Sequence, residues 1–162
     1  APPPSATPTA DPDRVATRVR IAALDIDLPV VRGPDGYPLC DVAMYLKELR
    51  QPGQGAATYL YAHAREGMFL PLLETRERDQ LGMVVEVWTS DDYRFLYEIV
   101  DVRRDQRDLN DALTATTEQL WLQTSEGPRG TPGKTQVVAE PLSVEVADPA
   151  DAHPKPEPVE CG

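Results

Sequence analysis

The sequence predicts an all-β domain, a barrel or a sandwich, on three observations. Seven or eight short β-rich segments recur between turn residues. Only two short stretches carry helical spacing. One hairpin is unambiguous: residues 83–89 and 93–102 flank the turn Ser90-Asp91-Asp92, and Tyr93, Phe95, Tyr97 and Ile99 alternate onto one face. With 162 residues the chain can bury one sizeable core.

In chain order, residues 1–14 are rich in Pro, Ala and Thr and read as an extended tether. The folded domain is expected over 15–147. Val19 and Ile21 alternate with Arg18 and Arg20 as a first strand, and 28–31 form a second, with Pro29 at an edge or a strand start. Residues 33–38 are a turn-rich loop. Asp41 is expected to cap a helix whose apolar face is Val42, Tyr45, Leu46 and Leu49. Residues 58–63 read as a buried strand closed by His63, and 69–73 as a short helix after the break at Gly67. Residues 74–80 read as charged and solvated. After the hairpin, the acids Asp101, Asp105, Asp108 and Asp111 lack the spacing of a calcium loop and read as a solvated face, with a helical turn near 109–113. Strands follow at 119–124, 135–139 and 142–146. Residues 148–162 read as a disordered, Pro-rich acidic tail.

The net charge of −11 argues against nucleic acid, whose phosphates need a basic patch. No apolar run reaches the roughly 18 residues a spanning helix needs. The two cysteines, Cys40 and Cys161, are too few for a disulfide scaffold. Because Cys161 falls in the tail, a specific bond to Cys40 is not expected. No Cys/His spacing suggests zinc, so neither metal nor cofactor is expected.

Three residues carry chemistry. His63 ends a strand before a loop and is the side chain best matched to proton transfer near neutral pH. Ser125 ends the strand that contains Leu120-Trp121-Leu122-Gln123-Thr124. Lys134 opens the returning strand, beyond a Gly/Pro loop over 126–133. Three strand tips can meet at one cleft, and a plain β-barrel interaction module with structural His63 and Ser125 is the contrasting reading.

In this order and context the segments resemble the sortase family, the surface-protein transpeptidases of bacteria. Tyr61-Ala62-His63 matches the family's strand-end histidine, and Phe69-Leu70-Pro71-Leu72-Leu73 its following short helix. Thr124-Ser125 falls on the Thr-Cys signature, and Lys134 on the arginine before Val138-Ala139. The resemblance covers about 18–146. It implies a closed β-barrel of seven or eight strands with two short helices, an extracytoplasmic, cell-surface or membrane-anchored setting with a tether upstream, and a peptide or surface-protein sorting signal as partner.

Two departures bear on activity. A thiol is appreciably ionised near pH 7, whereas the hydroxyl of Ser125 needs an adjacent base. Lys134 keeps positive charge for an oxyanion but lacks arginine's planar fork. Three readings follow. The domain is a pseudoenzyme without cysteine transpeptidase activity that binds peptides in the family groove. Alternatively, Ser125 acts with His63 as base in acyl transfer or hydrolysis. In the third, Cys40, ahead of the Asp41 helix, supplies a relocated thiol beside His63; as a small buried apolar residue it has no such role.

Overall fold

The computed structural model describes residues 11–161. Eight strands follow in chain order: β1 (Ala16–Ile21), β2 (Ile26–Arg32), β3 (Ala43–Tyr45), β4 (Ala57–Tyr61), β5 (Val84–Thr89), β6 (Tyr93–Gln106), β7 (Gln119–Ser125) and β8 (Lys134–Val146). They close into a barrel in the order β1-β2-β3-β4-β7-β8-β6-β5. The β2/β3 and β4/β7 pairs are parallel and the other neighbours antiparallel. Closure leaves no long unpaired edge.

Period-2 alternation explains the interior. Val19 and Ile21 of β1, Val85 and Val87 of β5, and Phe95, Tyr97 and Ile99 of β6 all point inward and are buried. Each such side chain contributes about 1.5–3 kcal/mol when fully buried. A second, smaller cluster lies on the opposite face of β4, β7 and β8: Ala57, Tyr59, Trp121 and Val138, covered by Ala112 of α3 (Asn110–Leu113). Thus β4 and β7 are buried on both faces, which is why 57–60 and 120–122 read as nearly continuous apolar runs. The two strands whose ends carry His63 and Ser125 are thus packed on both sides.

Two other short helices, Leu70–Glu74 (here α1) and Glu77–Gln80 (α2), fill the connection from β4 to β5. The first lies where the sequence places it. The second falls in the stretch read as solvated: Gln80 is fully buried and donates to the carbonyls of Leu72 and Thr75.

Several expectations are corrected. The helix after Asp41 does not form. Val42, Ala43 and Met44 are all buried, and a consecutive apolar run pairs as β3 between β2 and β4 rather than presenting one helical face. Pro29 lies inside β2, opposite Arg18. The two late strands are one, β8, with Pro141 accommodated at a register shift against β6. Of the residues read as tether, 1–10 lie outside the described residues. Arg14 belongs to the domain: it is 1% exposed, and its guanidinium makes a two-pronged hydrogen bond to Asp91 at 2.8–3.1 Å.

The tail is also ordered. Asp148 caps helix α4 (Pro149–Ala152) through its side chain, and Ala152 is fully buried. Further on, Val159 pairs antiparallel with Cys40, with backbone hydrogen bonds of 2.8 and 3.2 Å. Cys161 then forms a disulfide with Cys40, 121 residues away in sequence. The bond that the sequence reading set aside anchors the tail beside β3. The relocated-thiol reading of Cys40 falls with it, since its sulfur is already bonded and the residue is buried.

Candidate active site

Register alone brings the strand tips together. In the parallel β4/β7 pair Tyr61 lies opposite Gln123, so His63 and Ser125 each follow two residues past a matched pair. The ladder continues beyond the strands: Ala62 N–H donates to the Gln123 carbonyl at 3.1 Å, and the buried Thr124 hydroxyl donates to the Ala62 carbonyl at 3.0 Å. On the other side, Ser125 lies directly opposite Lys134 in the antiparallel β7/β8 pair. Adjacent strands are about 4.8 Å apart, so imidazole, hydroxyl and ammonium occupy three successive strand positions.

All three side chains line one cavity of about 370 Å³. Its outer wall is the loop that carries Gly127 and Arg129, and its inner wall includes Tyr61 and Gln123. Burial pushes the Tyr61 phenol up, with Glu48 adding to the effect, so it remains a protonated donor. Tyr37 forms a third side. Its ring centroid is 5.1 Å from that of His63, and the Arg129 guanidinium stacks over it at 4.1 Å. Arg65, Arg129 and Lys134 all line the cavity, and among the described residues no carboxylate does, on a chain of net charge −11. The site is a cationic pocket on an acidic protein.

The hydrogen bonds show what is poised. Lys134 Nζ donates to Ser125 Oγ at 3.3 Å. His63 Nε2 lies 2.9 Å from the Pro38 carbonyl oxygen. No hydrogen bond joins His63 to Ser125 among the described residues. The serine oxygen therefore faces a cation, a charge that would stabilise an anion at this position but cannot remove its proton.

Beneath the site lies a polar shelf. The Tyr59 hydroxyl donates to Gln123 Oε1 and accepts from Gln136 Nε2 at 3.0 Å, and its ring stacks on Trp121. Burial pushes the Tyr59 phenol well up despite the opposing Gln136 contact and Arg103 charge. Arg104 ties the neighbouring wall together, donating to the carbonyls of Leu72 and Thr75 and to the Thr135 hydroxyl.

Cys40, the fourth sequence candidate, does not line this cavity. It lies behind the Tyr37-Pro38 wall, where a second cavity of about 380 Å³ is bounded by Tyr37, Pro38, Leu39 and Cys161. Its sulfur, that of Cys161 and a ring nitrogen of His63 nonetheless lie within 4.8 Å of one another. Sequence spacing gives no sign of this Cys/His cluster, because the fold assembles it from three distant segments. Tyr37, Arg65 and Arg129 were also not singled out in sequence. The turn-rich composition of 33–38 and of the 126–133 loop was the only signal for Tyr37 and Arg129, and Arg65 had none.

The comparisons agree with this fold. The sequence profile of the Sortase domain matches residues 19–142. No curated protein matches the chain by sequence. Among solved structures, sortase A of Listeria monocytogenes superposes with a TM-score of 0.68 at 16% identity, over 83% of this chain and 90% of that one. Sortase A of Corynebacterium diphtheriae gives 0.66 at 19% identity, over 83% of this chain and 64% of its own. A Streptococcus pneumoniae sortase C gives 0.66 at 18% identity, over 85% and 73%. At these identities the structural likeness is one of fold.

Proposed function

The chain belongs to the sortase family, and from that premise we propose that it is a peptide-binding member without cysteine transpeptidase activity. The ligand is an extended segment of the sorting-signal type, held in the cavity between the tips of β4, β7 and β8. The observation that carries the proposal is the pairing of Ser125 with an ammonium rather than with a base. A serine needs its proton removed as it attacks, and His63 has its Nε2 on a backbone carbonyl instead. Lys134 keeps a positive charge that would steady an anionic intermediate, but the nucleophile is silent.

The lining favours a ligand with negative charge. Three cationic side chains line the pocket, and a carboxylate entering it meets them at short range, where Coulomb attraction is strongest. The expected setting is the extracytoplasmic face of the cell, with the Pro-rich residues 1–10 as a tether.

The test is a pair of measurements with sorting-type peptides and an amine acceptor. Wild-type protein binds the peptide, with an affinity that falls as salt rises, and transfers none of it. Ser125→Cys transfers it, and Ser125→Cys with His63→Ala does not. Peptide transfer by wild-type protein, or labelling of Ser125 by an electrophilic serine probe, overturns the silent-nucleophile reading. Failure of wild-type protein to bind any such peptide overturns the groove assignment.

A further inference from the structure

Behind the groove, the fold brings two sulfurs that the proposed function does not use up to the ring of His63. Cys40 precedes β3, His63 follows β4, and Cys161 lies in the tail segment paired to Cys40; one donor atom from each falls within 4.8 Å of the others. Two sulfurs and an imidazole are a donor set for zinc and its close analogues. In the oxidised chain the sulfurs are bonded to each other, and a disulfide presents no thiolate.

We infer that reducing the Cys40–Cys161 bond converts this cluster into a Cys2His site for a zinc-class divalent ion, with His63 as the third ligand. Tetrahedral zinc, with Zn–S near 2.3 Å and Zn–N near 2.0 Å, sets its donors roughly 3.5–3.8 Å apart. The imidazole nitrogen, at most 4.8 Å from either sulfur, has about 1 Å to travel. The sulfurs, held together by their bond in the oxidised chain, must part to reach the tetrahedral spacing.

The support for the donors does not depend on the S–S bond. Two backbone hydrogen bonds hold Val159 to Cys40, so the tail stays registered when the sulfurs part. The Pro38 carbonyl oxygen lies 2.9 Å from His63 Nε2, so the imidazole has a backbone anchor of its own. Cys40 is 4% exposed, while Cys161 and His63 are half-buried, which leaves the fourth position on the solvent side for water.

The chemistry balances. A phosphine reduces the bond, taking oxygen from water to become a phosphine oxide and leaving two thiols. A cellular dithiol does the same and leaves as its own disulfide. The ion then displaces one proton from each thiol, and its double charge is matched by two thiolates. Loading ties up the His63 ring, so the metallated form has no free imidazole at the peptide groove. Thiol redox state and groove chemistry are coupled through this one residue.

The experiment uses the full chain, reduced with a phosphine without oxygen and titrated with Co²⁺ as a spectroscopic stand-in for Zn²⁺. The expected result is one Co²⁺ per chain, with thiolate charge-transfer and tetrahedral ligand-field bands that Zn²⁺ abolishes. The oxidised chain shows neither. Cys40→Ser and Cys161→Ser lose the charge-transfer bands, and His63→Ala weakens Zn²⁺ binding at least about tenfold. X-ray absorption of the wild-type zinc adduct, which needs no variant to fold, shows two sulfurs and one imidazole nitrogen. Reduced protein that binds Co²⁺ no better than oxidised protein overturns the inference, as does zinc bound with no imidazole. Neither result touches peptide binding by the oxidised chain, so this inference and the proposed function fail separately.

Discussion

The contact between Lys134 and Ser125 makes a quantitative prediction. In Ser125→Cys, the only free thiol is the one introduced, because Cys40 and Cys161 are bonded to each other. With the ammonium 3.3 Å from the side-chain atom at this position, Coulomb attraction in a fully aqueous dielectric stabilises a thiolate by about 1.3 kcal/mol, or roughly one pK unit. The half-buried site has a lower effective dielectric, which strengthens this attraction, while burial opposes ionisation in the single and the double variant alike. An ordinary thiol near 8.5 is about 3% ionised at pH 7; lowered to about 7.5, it is about a quarter ionised. The assay is the rate of alkylation of Ser125→Cys against pH at low salt, repeated with Lys134→Met added. The single variant should titrate at least about one unit below the double, and the gap should narrow in high salt. Identical midpoints would refute the electrostatic role given to Lys134 and, with it, the argument that this residue serves in place of the family's arginine.

Other consequences follow from residues away from the groove. The Cys40–Cys161 bond closes a loop spanning a sequence separation of 121, for which chain entropy sets a ceiling of about 5 kcal/mol. Cys40→Ser with Cys161→Ser should lower the urea midpoint by the equivalent of about 2–5 kcal/mol, and an unchanged midpoint would mean that the tail contributes nothing to global stability. Burial pushes the Asp91 carboxyl up, but hydrogen bonds from Arg14 and Thr89 outweigh it and hold the group below its ordinary value. A depressed carboxylate contributes stability above its unfolded value of about 3.9 and loses it as pH falls through the folded value. Stability should therefore drop below about pH 4, and Arg14→Met should flatten that acid limb; an unaltered acid limb would show that the pair is not responsible.

The barrel was readable because its information is local. Alternation in β1, β5 and β6 survives in the sequence, and the turn Ser90-Asp91-Asp92 marks the hairpin without help from tertiary structure. The groove was readable for a related reason. His63, Ser125 and Lys134 stand at strand ends, and once β4, β7 and β8 are neighbours their tips have no other place to be. The segment after Asp41 misled because apolar residues at 42, 45, 46 and 49 fit helical spacing, while Ala43 and Met44 between them are also buried. A helix with one wet face cannot bury that run; a short strand flanked by β2 and β4 can.

The tail shows a different limit. Nothing within residues 148–161 contains enough apolar surface to order them, and the composition rule for disorder applies to an isolated segment. Here the stabilising partners lie elsewhere: Asp148 caps one turn, Ala152 is fully buried, and Cys40 supplies both a backbone partner and a covalent bond. The same nonlocality hid the sulfur–imidazole cluster. Zinc spacing rules look for ligands a few residues apart, whereas Cys40, His63 and Cys161 meet only because β3 pairs with β4 and the tail pairs ahead of β3. His63 thus borders two features: the Ser125 hydroxyl in the cavity at the strand tips, and a pair of sulfurs beyond the Tyr37-Pro38 wall. The metal titration of the reduced chain decides whether the ring can act on the sulfur side of that wall.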